Sequence, residues 1–114
     1  GVYCGGAILP GLKISQEALT GRTSQLPSIS LDAPKNVIGT NTTDCMKSGM
    51  IYGTAAMLDG MIHRIEASLG NSVTVLATGG LSAAVIPFCE RNIYYDNDLL
   101  IKGLWQIYCS MQKK

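Results

Sequence analysis

Charge is scarce in this chain and evenly matched. Nine Lys and Arg stand against eight Asp and Glu, a formal net charge of +1, and neither sign gathers into a dense run. That pattern offers no electrostatic footprint for nucleic acid or for an anionic membrane. Apolar runs are short as well, none approaching the roughly 20 residues that span a bilayer, and the first residues lack the charged start and apolar core of an export signal. A cytoplasmic location is therefore expected. Histidine occurs once, as His63, with no second ligand at a zinc spacing, so no metal site is expected within this chain. The four cysteines, at positions 4, 45, 89 and 109, lie far apart inside apolar segments without CxxC spacing. They read as buried, reduced thiols rather than as two disulfides. Internal repeats are missing, and 114 residues with 46% apolar content suffice for one globular unit at most.

What is present alternates between helix-like and strand-like segments. An apolar start from Val2 to Leu9 breaks at Pro10-Gly11, and Leu12, Ile14, Ala18 and Leu19 then recur at turn spacing in a helix predicted from Leu12 to about Thr23. From Leu26 to Asn41, Pro27, Pro34 and Gly39 interrupt alternating Ile29, Leu31 and Val37, which reads as extended strand and loop. Residues 42 to 70 carry the strongest signal, a long helix with Met46, Met50, Met57, Met61 and Ile65 at helical spacing, Thr42 as its expected N-cap and Gly70 as its stop. A second stripe on that helix, Gly49, Gly53, Ala56 and Gly60, is costly, since each interior glycine loses about 1 kcal/mol relative to alanine. Close packing of a neighbouring element or a subunit contact would offset the loss. A strand follows from Val73 to Ala77, then a glycine turn, a helix from Leu81 to Cys89, a short segment from Asn92 to Tyr95, and a last helix from about Asp98 to Met111. Asp98 is its expected cap, and Leu100, Leu104, Ile107 and Met111 line one face. The class is α/β, without the regular alternation of a complete doubly wound domain.

Three stretches could touch a ligand. GGAILPGLK, residues 5 to 13, imitates a phosphate loop through Gly6 and Gly11, but Leu12 stands where that motif needs lysine, and Ile14 follows Lys13. A turn with close backbone approach remains. IGTNTTD, residues 38 to 44, clusters hydroxyls and an amide at a helix start, where unpaired N–H groups can meet an anion or be satisfied by Thr42 as a cap. ATGG, residues 77 to 80, ends a strand on two glycines, whose missing Cβ atoms let a flat ligand lie on the main chain. No general acid, base or nucleophile stands beside it in sequence, so it can hold a ligand without transforming it.

Taken in order, YCGGAILPGLKISQEAL (3 to 19), TSQLP (23 to 27), PKNVIGTNT (34 to 42), SGMIYG (48 to 53), ATGG (77 to 80) and DLLIKGLWQIY (98 to 108) resemble the type III pantothenate kinases of the acetate and sugar kinase, Hsp70 and actin superfamily. The resemblance runs over essentially the whole chain. It implies two ribonuclease H-like α/β halves around a cleft in which ATP phosphorylates pantothenate, the first step of coenzyme A biosynthesis. In that family an Asp-rich phosphate loop, a base aspartate and an Asp-Gly-Thr segment with a monovalent-cation site belong to the N-terminal half. Asp32, Asp44, Asp59, Asp96 and Asp98 form no Asp-x-Gly-Thr arrangement. Residues 1–114 are thus expected to be the C-terminal lobe, to contain no catalytic residue, and to be inactive alone. By resemblance Thr42 bonds pantothenate, Gly79 and Gly80 lie against adenosine, and Gly5, Gly6 and Gly11 form a turn beside the phosphate cleft. ATP with Mg2+ and a K+ or NH4+ ion held by the other half are implied, as are that N-terminal half and a homodimer as partners. A non-catalytic binding or regulatory relative of the same fold is the alternative, and a free-standing α/β interaction protein is a second.

Overall fold

The computed structural model describes residues 1–21 and 29–113. Three α-helices, two short strands and two 3-10 turns follow one another along the chain: α1 (Leu12–Gly21), α2 (Thr42–Leu69), β1 (Val75–Ala77), the turns Ser82–Ala84 and Ile86–Phe88, β2 (Ile93–Tyr95) and α3 (Leu99–Gln112). The TSQLP segment and the predicted end of the first helix at Thr23 lie outside the described residues.

α2 is the organising element. Its 28 residues span about 42 Å at 1.5 Å per residue. Asn41, in extended conformation, accepts the Asp44 N–H at 2.9 Å and returns its own amide to the Asp44 carboxylate at 3.0 Å, closing the N-terminus reciprocally. The cap is therefore Asn41 and not Thr42, which becomes the first helical residue. Gly70 ends the helix in the left-handed region, at φ 77°, and donates to the Glu66 carbonyl.

The core is small and lies along one side of α2. Ile51 and Val85 are fully enclosed, with Leu12, Ile29, Met46, Met50 and Ala55 around them. α1 crosses this helix, its first residue Leu12 in the core. The glycine stripe faces away: Gly49, Gly53, Ala56 and Gly60 are exposed, and a Cβ added at any of the three glycines would meet nothing within 4 Å.

β1 and β2 pair in parallel, Val75 with Ile93, Leu76 with Tyr94 and Ala77 with Tyr95. Acidic side chains of α2 hold this small sheet in place. Asp59 accepts the N–H groups of Glu90 at 2.8 Å and Arg91 at 3.0 Å, just before β2. One helical repeat later Glu66 accepts the Val73 N–H at 3.0 Å, just before β1, and pairs with the Arg91 guanidinium.

Several expectations are corrected. The helix predicted from Leu81 to Cys89 is two 3-10 turns, because Pro87 has no N–H to give Ala83 and its ring disfavours helical backbone at Ile86. The strand predicted from Val73 starts at Val75. The described part of 26–41 forms loop without a strand, since it finds no neighbouring ladder among the described residues; Ile29 is buried but Val37 is exposed. Asp98 makes no side-chain cap to α3; Asp96, two residues earlier, accepts the Asp98 N–H at 2.9 Å. All four cysteines are free thiols as expected, but Cys4 and Cys45 are exposed and Cys89 and Cys109 only partly covered. Of the four, Cys89 packs against the small core that α2 gathers. Leu100, Leu104, Ile107 and Met111 are all exposed on α3. Among the described residues no helix is long and apolar enough to cross a membrane.

Candidate functional site

Two hollows open on neighbouring faces of α2, one at each end of α1. The larger, about 760 Å³, gathers the turn Leu9-Pro10-Gly11 and the start of α1, the middle of α2 at Thr54, Met57 and Leu58, and the turn Thr78-Gly79-Gly80 with Leu81 and Ser82. The smaller, about 600 Å³, lies where Leu19 of α1 faces Gly39, Thr40, Asn41, Thr42, Cys45, Met46 and Gly49.

The large cleft owes its shape to glycine. Gly79 sits at φ +101°, which few L side chains adopt, and a Cβ at Gly79, Gly80 or Gly11 would meet nothing within 4 Å. The main chain is thus bare toward the cleft at both turns. Lys13 is the one charged side chain among the lining residues, and no carboxylate joins it. A magnesium ion or a monovalent cation does not fit this donor set, which offers hydroxyls and carbonyls but no anionic oxygen. The cleft can receive a flat, partly apolar molecule; it cannot by itself move a proton or clamp a phosphate through a metal.

The small hollow is built by the loop of residues 29–40 folding back on α2. Lys47 pairs with Asp32 at 3.0 Å, the Tyr52 hydroxyl donates to the Pro34 carbonyl at 3.1 Å, and the Ser48 hydroxyl donates to the Val37 carbonyl. Gly39 then presses on the helix start: a Cβ there would lie 2.5 Å from Cys45 N and 2.7 Å from Cys45 Cα. Because Asn41 satisfies the helix end, the Thr42 hydroxyl has no hydrogen-bond partner among the described residues and stands at the wall of the hollow.

Of the residues that the sequence singled out, Gly11, Gly79 and Gly80 come together in one cleft. Thr42 lies in the adjacent hollow. Gly5 and Gly6 line neither; both are exposed, Gly5 at φ +129° and Gly6 beside its own neighbour Tyr3. The reading missed Gly39, whose tight approach leaves no trace beyond a glycine in a loop, and the sheet-holding pair Asp59 and Glu66. That pair did leave a signal, two carboxylates seven residues apart and so two helical turns along the same side of α2.

Electrostatics favour the charged forms of Glu66 and Asp96. The Val73 N–H and then the Arg91 guanidinium hold the Glu66 carboxyl below its ordinary range. Lys102, 2.8 Å away, and the Asp98 N–H do the same for Asp96, and Asp96 in turn raises Lys102. Burial, and then the charge of Asp59, pushes the Cys89 thiol up, which keeps it protonated and a poor nucleophile.

Comparison with known proteins agrees with the order of these motifs. A family profile described as type III pantothenate kinase matches residues 1–64, more than half of the chain. A protein named type III pantothenate kinase from Desulforapulum autotrophicum is 47% identical over 105 residues, covering 91% of this chain and 40% of its own length. One of the same name from Halalkalibacterium halodurans is 44% identical over 106 residues, with 93% and 42% covered. Another from Deinococcus radiodurans is 39% identical over 108 residues, with 95% and 41% covered. The chain thus spans about two-fifths of the length of these curated relatives and aligns with their C-terminal part. The mixed α/β architecture, the ordered motifs and the profile match converge: this chain belongs to the type III pantothenate kinase family.

Proposed function

We propose that residues 1–114 act as the C-terminal, ribonuclease H-like lobe of a kinase that transfers phosphate from ATP to pantothenate. The carrying observation is the cleft of about 760 Å³, where two glycine turns distant in sequence present bare backbone and no carboxylate. In this reading the nucleoside of ATP lies against Thr78-Gly79-Gly80, the Gly11 turn borders the phosphate path, and the free Thr42 hydroxyl bonds pantothenate in the adjoining hollow. Aspartates of an N-terminal lobe hold Mg2+ and a monovalent cation and supply the base, so this lobe alone is silent. The open stripe from Gly49 to Gly60 then suits a second copy of the protein, in a cytoplasmic homodimer.

Substitution in the complete kinase separates the two ligands. Gly80 is a cleaner probe than Gly79, because its φ is ordinary and a side chain there enters open space without backbone strain. Gly80→Val is expected to raise KM for ATP about tenfold, equivalent to roughly 1.4 kcal/mol, while KM for pantothenate holds. Equal losses for both substrates would refute the assignment of the turn to ATP.

A further inference from the structure

The Gly79 carbonyl is gripped from two sides. Ser82, at the start of the first 3-10 turn, places its hydroxyl 2.6 Å from this oxygen and 3.1 Å from the Thr78 carbonyl. The phenol of Tyr95, the last residue of β2, donates to the same oxygen at 3.0 Å. The sheet sets this up. Its register puts Tyr95 opposite Ala77, and the ladder runs one step further as the Asp96 N–H donates to the Ala77 carbonyl at 2.9 Å. A side chain as long as tyrosine, rooted there, spans from the end of β2 to the second residue beyond β1.

We propose that Tyr95 is a positioning residue for the nucleotide: with Ser82 it fixes the Gly79 peptide, and so the bare face that Gly79 and Gly80 offer to the nucleoside. The inference rests on the reading of this turn as the ATP site. Glycine populates positive and negative φ almost equally, so a Gly-Gly turn without anchors would spread over many backbone states. Each of those states would have to be given up when a ligand binds. Two hydroxyls on one carbonyl select the φ +101° state beforehand. Tyr95 is exposed and outside the core, and among the described residues its hydroxyl bonds only the turn and Asn97. The phenol has a single proton, and Asn97 Oδ1, 3.1 Å away, is a second acceptor for it when the turn shifts.

The test is Tyr95→Phe in the complete kinase, measured beside Gly80→Val, with KM for each substrate, kcat, ADP affinity by calorimetry and melting temperature. Loss of one such hydrogen bond is expected to raise KM for ATP and Kd for ADP about two- to tenfold. KM for pantothenate, kcat and the melting temperature hold, and Ser82→Ala acts in the same direction. If Gly80→Val weakens ATP but Tyr95→Phe leaves ATP and ADP untouched, the positioning role is overturned and the ATP site stands. If neither variant affects the nucleotide, the ATP site itself is overturned and the positioning role falls with it. If Tyr95→Phe raises both KM values equally and lowers the melting temperature, tyrosine is a strut of the fold and the proposal is wrong.

Discussion

At the helix start, one residue changes the reading of its neighbours. Asn41 takes the capping bond, so Thr42 is left with a hydroxyl directed to no structural duty among the described residues. Two substitutions should therefore come apart in the complete kinase. Asn41→Ala is expected to cost about 1 kcal/mol of stability, seen as an earlier thermal transition. Thr42→Val is expected to leave that transition in place and raise KM for pantothenate about two- to tenfold, the value of one buried hydrogen bond. An unchanged KM would remove pantothenate from the hollow. Gly39 is the third case: with Cys45 N only 2.5 Å from the position of a Cβ, Gly39→Ala must displace backbone and not a yielding side chain. A loss of about 1–3 kcal/mol is expected from denaturant unfolding, together with weaker pantothenate binding as the wall of the hollow moves.

Among the elements, α2 and β1 were legible because their signals are local, while the stretch that becomes β2 was marked only as a short segment, since its pairing with β1 is not local. Methionines at helical spacing and a closing glycine lie within α2 or at its end, with only the cap displaced by one residue to Asn41, and the glycine turn follows directly on β1. The segment Ser82-Ala83-Ala84-Val85-Ile86 misled for the same reason: it looks helical in isolation, and Pro87 alone breaks it into two tight turns. Gly79 and Gly80 were singled out from the strand that precedes them, and both line the large cleft. Tyr95 and Ser82 were not, since a bond between the end of β2 and the turn after β1 leaves no periodic mark. The bonds from Asp59 and Glu66 to the sheet are equally silent, and they carry a prediction of their own. Asp59→Ala strips two N–H groups of their acceptor, so amides of β2 should exchange with solvent faster while the middle of α2 holds its protection. Acid should act through Glu66, and through Asp96 beyond the end of β2. Glu66 and Asp96 have carboxyls held below their ordinary range, so their contribution is present above that range and is lost as pH falls through the lowered values. A stability profile that stayed flat through acidification would contradict this.

The whole molecule is too open for its length. A compact chain of 114 residues has a radius of gyration near 13 Å by the usual scaling; here it is 17.5 Å, with extents of 60 × 32 × 24 Å. Its accessible surface of 8658 Å² compares with about 6,000 Å² expected for a folded monomer of 12.1 kDa. The excess matches the area of an obligate interface. Much of it is apolar: Leu100, Ile101, Leu104, Trp105, Ile107 and Met111 of α3 are each more than half exposed. A contiguous apolar surface of this kind marks a place where another polypeptide packs. Purified alone, the chain is expected to self-associate and bind a hydrophobic dye, and to show no phosphate transfer; a well-behaved monomer with kinase activity would overturn the lobe reading. Trp105 lies in the middle of this open face, 63% exposed and stacked on Tyr108 at 5.6 Å. It is also the single tryptophan of the chain. If the lobe reading holds, this indole is an optical gauge of assembly: its emission is expected at long wavelength in isolation and to move to the blue as a complementary polypeptide is added, the dose reading out the strength of association.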